Sequence, residues 1–174
     1  LASSGITLNG GTLSISDPAY ASTGRGIALG TNGGGIEVIA ATQVFTVSQA
    51  INGDGGLVKQ GDGTLVLTGA GSHFCAGMDL AAANRGELPI TEGRGPLGIT
   101  ARPPSKPTVA AVEGGALAGG FEVMLCADLV VAAAGAPMGL PEVQRGLLAA
   151  AGGLWRVGTR LPRAGEPGGI QGLL

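Results

Sequence analysis

Aromatic residues are nearly missing from this 174-residue chain, in which Phe, Trp and Tyr together make up 3%. Without large rings, packing falls to Ala, Val, Leu and Ile within a hydrophobic content of 44%, so the core is expected to be thin. Cysteine is as scarce: Cys75 and Cys126 are too few and too far apart for a disulfide framework or a C-x-x-C metal site, and they read as two small buried apolar residues in a reducing compartment. His73 is the single histidine, and no metal ligand set is expected. No run of Lys or Arg interrupts a net charge of −2, which argues against nucleic acid as a partner. Long apolar runs are lacking too. The most apolar stretch, Ala116 to Ala134, is broken by Glu122 and Asp128, so a buried helix followed by a strand is expected in place of a membrane span. The chain opens at Leu1 with neither a basic nor an apolar leader region, and no secretion signal is read there.

Glycine is abundant, at 35 residues. From Leu1 to Gly69, short β-prone runs alternate with Gly, Asn and Asp clusters: Ile6 to Leu8, Thr12 to Ile15, Ile27 to Leu29, Ile36 to Ile39, Gln43 to Val47 and Thr64 to Thr68. None carries the 3.6-residue period of a helix. Corners such as Asn9-Gly10-Gly11 and Asn32-Gly33-Gly34 supply positive φ angles where the chain must turn. Short strands at regular corners suggest a β-solenoid, with a Gly-rich flexible leader as the other reading. From Ala81 onward, Ala-rich apolar blocks are separated by Pro-bearing loops such as Arg102 to Pro107. Val109 to Val112 reads as a buried strand, Gly119 to Ala127 as a helix entered through glycines, and Leu129 to Ala133 as the next strand. Helices are expected only after Asp79, which is placed to cap the first of them.

Two resemblances attach to particular residues. Gly53 to Ala70, with Gly55-Gly56-Leu57, Lys59, Gly61, Gly63-Thr64-Leu65 and Leu67, resembles the passenger-associated repeat of bacterial autotransporters, a β-helix rung. Three collinear motifs resemble the enoyl-CoA hydratase (crotonase) family. They are Leu65 to Leu80 with its A-G-x-D-L loop at Ala76 to Leu80, Lys106 to Glu122 with its glycine-lined helix start, and Gly139 to Leu147 followed by Gly152-Gly153. Thr64 to Gly71 satisfies both patterns at once. The fold class expected is therefore an α+β composite, an N-terminal Gly-rich β-solenoid-like segment (1–69) followed by a partial crotonase ββα spiral (70–163), with a disordered tail at 164–174.

The second resemblance implies a chemistry. Attack on an α,β-unsaturated thioester pushes charge onto the thioester oxygen, so donors must be fixed where the enolate forms. The family supplies backbone N–H groups at the positions of Met78 and Gly119. Hydration also needs two carboxylates beside a small apolar cavity, one to activate water and one to deliver a proton, and the resemblance carries these roles to Glu122 and Glu142. Taken singly, Glu122 reads equally as a helix-start cap and Glu142 as a solvated side chain. Ala76, Gly77, Met78, Asp79 and Leu80 would hold coenzyme A, which is part of the substrate, so no separate cofactor is expected. His73 reads as a surface loop residue. Ala118 stands where the family often has a third glycine. The partner implied is an acyl-CoA thioester, homo-oligomer formation is left open, and the location is the bacterial cytoplasm if the crotonase part dominates or the cell surface if the autotransporter part does. Full members carry further N- and C-terminal regions around the acyl pocket, so this stretch alone is expected to be a weak catalyst. A passenger fragment or a non-functional fusion is the alternative.

Overall fold

The structure, a computed structural model, describes residues 5–162 apart from 48, 50, 54, 55, 70 and 71. The tail expected to be disordered, 164–174, lies outside the described residues. The first nine strands are β1 (Ile6–Leu8), β2 (Thr12–Ile15), β3 (Ser22–Thr23), β4 (Ile27–Leu29), β5 (Gly34–Val38), β6 (Val44–Val47), β7 (Ile51–Gly53), β8 (Leu57–Gln60) and β9 (Thr64–Thr68). They stack in parallel as β1-β4-β7, β2-β5-β8 and β3-β6-β9, so each turn of chain gives one strand to each stack. The pitch is visible in side-chain bonds that join residues 23 positions apart: Ser14 Oγ donates to Glu37 Oε2, and Asn32 N–H donates to Asn9 Oδ1. Such stacking needs aliphatic residues facing inward on every turn, and Leu8, Ile15, Ile27, Leu29, Ile36, Val38, Phe45, Val47, Leu57 and Leu65 form one buried cluster. The β-prone runs read from the sequence missed β3, β7 and β8, each of two to four residues and too short to show a pattern; they placed the edges of β5 and β6 within two residues.

The third stack does not stop at β9. It continues through β13 (Thr108–Val112) to β15 (Leu129–Ala132), reached after β10 (His73–Cys75), helix α1 (Leu80–Asn84) and the small hairpin β11 (Ile90–Thr91) with β12 (Gly95–Pro96). Val66 of β9 is in register with Thr46 of β6 on one side and Val109 of β13 on the other. A second parallel sheet joins β10, β14 (Gly115–Leu117) and β16 (Met138–Gly139). Helix α2 (Gly119–Met124) packs on β14 and β10, a 3₁₀ turn spans Pro141–Arg145, and α3 (Gly153–Arg160) closes the described chain. The molecule is thus mostly parallel strands with few helices, in a partial crotonase-like arrangement. A second buried cluster gathers Ala110, Val112, Ala116, Phe121, Met124, Leu125 and Ala127.

Two expectations of secondary structure need correction. Helix α2, expected to run to Ala127, ends at Met124 because the N–H groups of Cys126 and Ala127 bond back only three residues, to Val123 and Met124, tightening into a turn. Strand β15 stands where a strand was expected, as the outer strand of its sheet, with Leu129 and Val131 each 57% exposed. His73 opens strand β10 and is exposed there, not in a loop. The first helix of the described chain does begin at Leu80, and Asp79 caps it by accepting from the N–H groups of Ala81 and Ala82 at 2.8 and 3.1 Å. Of the two cysteines, Cys126 is buried and Cys75 half-buried, and neither is bridged.

Candidate active site

Helix α2 enters through backbone that side chains disfavour. Ala118, just before it, has φ 51° and ψ −129°, conformations in which a Cβ is strained and glycine is not. This is the physical reason a glycine suits that position. Gly119 is the first helical residue, so its N–H has no carbonyl to reach within the helix. Close approach then fixes the neighbours. A Cβ on Gly120 would lie 2.0 Å from the Cys75 carbonyl oxygen, so only glycine lets α2 sit against β10. Gly77, at φ 95°, bends the loop after β10 until its Cα side faces the Gly119 N–H. The outcome is that Met78 N lies close to Gly119, for a Cβ on Gly119 would be 3.8 Å from it.

One turn into α2, Glu122 is buried, with 3% of its surface exposed. Its side chain does not cap its own helix. Glu122 Oε1 accepts a hydrogen bond of 2.8 Å from the N–H of Gly153, at the start of α3. Burial raises its pKa above the ordinary carboxylate value, the Gly153 N–H opposes that rise, and the charge of Glu142 adds to it. Glu142 sits on the 3₁₀ turn after Pro141, and its Oε2 is buried without a hydrogen-bond partner among the described residues.

These groups meet at one cavity of about 410 Å³. Met78, Gly119, Glu122 and Glu142 all line it, although they are spread widely along the chain. Of the five loop residues expected to hold coenzyme A, Ala76, Met78 and Leu80 line the cavity; Gly77 shapes the loop and Asp79 caps α1. Apolar walls come from Leu88, Ile90, Leu97, Leu117 and Leu148. An apolar pocket with two convergent carboxyls and paired N–H donors is suited to acid–base chemistry on a carbonyl compound. Among the described residues no group of three or more His, Cys, Asp or Glu is placed to hold a metal ion, and no helix is long and apolar enough to cross a membrane.

Residues 59–165 match the model of the family described as enoyl-CoA hydratase/isomerase, more than half of the chain. The chain belongs to the enoyl-CoA hydratase/isomerase family. Among curated members of that family, the mevalonyl-coenzyme A hydratase sidH of Aspergillus fumigatus is 47% identical over 96 residues, covering 53% of this chain and 36% of that protein. The carnitinyl-CoA dehydratase of Proteus mirabilis is 43% identical over 103 residues, covering 57% and 40%. A crystal structure of the enoyl-CoA hydratase EchA1 from Mycobacterium marinum superposes with a TM-score of 0.54 at 60% identity, over 57% of this chain and 39% of that one. The chain therefore spans about two fifths of the length of the family members it matches.

Sequence reasoning missed two contributors to this enoyl-CoA hydratase-like site. Gly152-Gly153 was noted as part of a motif, but not as the start of a helix whose N–H holds Glu122. Arg156 was not singled out; it ties α3 in place by donating to Thr100 O at 2.6 Å and to Ala151 O at 3.2 Å. The signal available for both was the placement of a glycine pair just ahead of a helical run.

Proposed function

We propose that this chain binds a 2-enoyl-CoA thioester and adds water across, or isomerises, its double bond. What supports the reading is the convergence of Glu122, Glu142 and the Met78 and Gly119 backbone N–H groups on one apolar cavity. In that reaction the thioester oxygen lies against the two N–H groups, which stabilise the charge that develops on it. The reaction needs one proton donor and one base; burial, and after it the neighbouring Glu142 charge, raise the Glu122 pKa against the opposing Gly153 N–H and so favour a proton on Glu122. Ala76, Met78 and Leu80 then flank the entering coenzyme A. The carbonyl chemistry needs no further cofactor, and the reading puts the protein where acyl-CoA is, in the cytoplasm.

On the same reading, residues 1–69 are an autotransporter-type β-solenoid segment and 70–163 a partial crotonase domain, two grammars joined through β9. This is supported by the family match beginning at residue 59, inside the stretch that resembles a β-helix rung. The test is hydration of crotonyl-CoA by the purified protein and by Glu122→Gln and Glu142→Gln. Each variant should lose on the order of 100- to 10,000-fold in turnover. Equal rates in all three proteins would overturn the assignment.

A further inference from the structure

The glycine corners of the N-terminal rungs carry a separate cleft of about 320 Å³, which shares no lining residue with the cavity of Glu122 and Glu142. Its floor is backbone, for Gly33, Gly34, Gly35 and Gly56 are buried there. Only glycine lets these corners stack so closely. A Cβ on Gly35 would lie 2.6 Å from Thr12 Oγ1, and one on Gly33 would lie 2.6 Å from the Gly56 carbonyl oxygen. The remaining wall is the turn between β11 and β12, which supplies Glu92 and Arg94. Arg94 lies along Gly56, its Cγ 3.0 Å from where a Cβ would stand, and it donates from Nη1 to Arg102 O at 3.3 Å. A larger residue at 56 would push the Arg94 side chain off the corner, so the cleft is built by both segments together.

The floor itself has little hydrogen-bonding capacity left. Gly10 N–H donates to Gly33 O, Asn32 N–H to Asn9 Oδ1, Gly33 N–H to Gly30 O, Gly34 N–H to Gly56 O and Gly35 N–H to Gly11 O. Amides engaged in this way cannot form the concave row that holds an anion. The capacity lies in the lining side chains: the hydroxyls of Thr12 and Thr31, the amides of Asn32 and Gln60, the Glu92 carboxylate and the Arg94 guanidinium. Glu92 and Arg94 do not neutralise each other, since the ion pairs among the described residues are Arg85 with Glu87 and Lys106 with Asp62. An anion would meet Glu92 with no second cation in the lining to offset it. A sugar ring suits the set better. Each of its hydroxyls donates and accepts at once, and neighbouring hydroxyls span a carboxylate, an amide or a guanidinium. Its C–H face can rest on the glycine floor and the half-buried Val58.

We propose that this cleft binds a neutral mono- or disaccharide, with Glu92 and Arg94 clasping adjacent hydroxyls and Asn32 and Gln60 selecting among sugars. The volume stands at the low end of the roughly 300 to 1,000 Å³ of small-molecule sites, as a ligand of that size requires. The site is independent of the acyl-CoA reading of the other cavity. It gives the N-terminal rungs a recognition role beside their role as a scaffold.

The experiment is an amide-detected nuclear magnetic resonance titration of the whole chain with glucose, galactose, mannose, N-acetylglucosamine, maltose and cellobiose. Each is taken to about 100 mM, which saturates even millimolar binders. Inorganic phosphate and glycine serve as the anion and the zwitterion. At least one sugar should give saturable shifts at the Asn32 and Gln60 side-chain amides and at Arg94 Nε–H. Arg94→Ala and Glu92→Ala should each weaken that sugar about tenfold or more, the loss expected when a hydrogen bond to a charged group is removed. A urea midpoint shows which variants fold, and either one suffices. Silence of every sugar would overturn the proposal, as would saturation by phosphate or glycine at least as tight as by any sugar. So would a sugar affinity left unchanged in a folded variant.

Discussion

The N-terminal rungs and the later turns stack parallel strands against the same β9, yet they treat buried polar groups in opposite ways. In the rungs, Lys59 is 2% exposed, and its ammonium is satisfied locally by the carbonyls of Gln60 and Gly61 in the turn that follows. Burial lowers the Lys59 pKa, and Lys106 lowers it further. Gln43 donates through Nε2 to Asp17 O at 2.8 Å and anchors a corner, although its Oε1 is buried without a hydrogen-bond partner among the described residues. In the later turns the buried carboxyl of Glu122 faces a cavity, beside a second carboxyl with an unpaired oxygen. Both non-glycine residues with positive φ among the described residues, Leu97 and Ala118, line that cavity. Polar burial closes turns in one region and arms a site in the other, and the backbone strain collects where the site is.

The sharpest way to break this comparison is to damage the strand that both regions share. Leu65 is fully buried in β9, and Leu65→Ala should cost about 2 to 5 kcal/mol of stability. Far-ultraviolet circular dichroism in urea should then show one transition moved as a whole; two separated transitions would mean that the regions fold independently. Relieving strain tests the other side. Ala118→Gly should stabilise the protein by about 1 kcal/mol or more, read as a higher urea midpoint with an unchanged slope. A loss of stability would show that Ala118 is relaxed.

A smaller effect is expected at Asp79. Asp79→Ala removes two hydrogen bonds at the start of α1 and should cost about 1 kcal/mol, with amide exchange accelerated in α1 and unchanged in β1 to β8. The smallest effect concerns pH. The folded-state pKa of Glu122 is raised above its ordinary 4.5, so the folded protein holds that proton to higher pH than the unfolded chain does. Stability should therefore fall as pH rises from about 4.5 through the raised value. Glu122→Gln should remove that decline and leave the protein more stable at neutral pH even as activity is lost. An unchanged pH slope would show that Glu122 carries no such burden.

Much of the strand pattern was legible because aliphatic alternation and glycine corners are local signals. Ile6–Leu8, Thr12–Ile15, Ile27–Leu29 and Thr64–Thr68 stand where the sequence put them. The three stacks were not legible, since which strand lies on which depends on backbone pairing between turns of unequal length, such as Ser22 with Thr46 and Val44 with Thr64. The positions of Met78, Gly119, Glu122 and Glu142 were read from motifs, and their meeting at one cavity follows from close approaches at glycine that no local pattern displays. The Gly153 N–H on Glu122 was invisible for the same reason: it is a contact between distant segments with no composition of its own.

The placement of β9 between β6 and β13 has a consequence for how such a chain tolerates insertions and deletions. Every strand in the third stack offers the same parallel ladder upward and downward, so the sheet does not record how many turns lie beneath β9. Removing or duplicating one whole turn, cut at equivalent corners, would leave each remaining strand over its own stack, because turns of unequal length already stack here: Ser22 pairs with Thr46 and Val44 with Thr64. An insertion of a single residue inside a strand would instead turn the side chains beyond it in that strand to the opposite face, whereas corners absorb such differences, as the unequal spacings Ile6 to Ile27 and Ile27 to Ile51 show. Length variation in this N-terminal region should thus come in whole turns or at corners, with the cavity that Glu122 and Glu142 line indifferent to the count as long as the last turn still presents Leu57 and Leu65 to the junction.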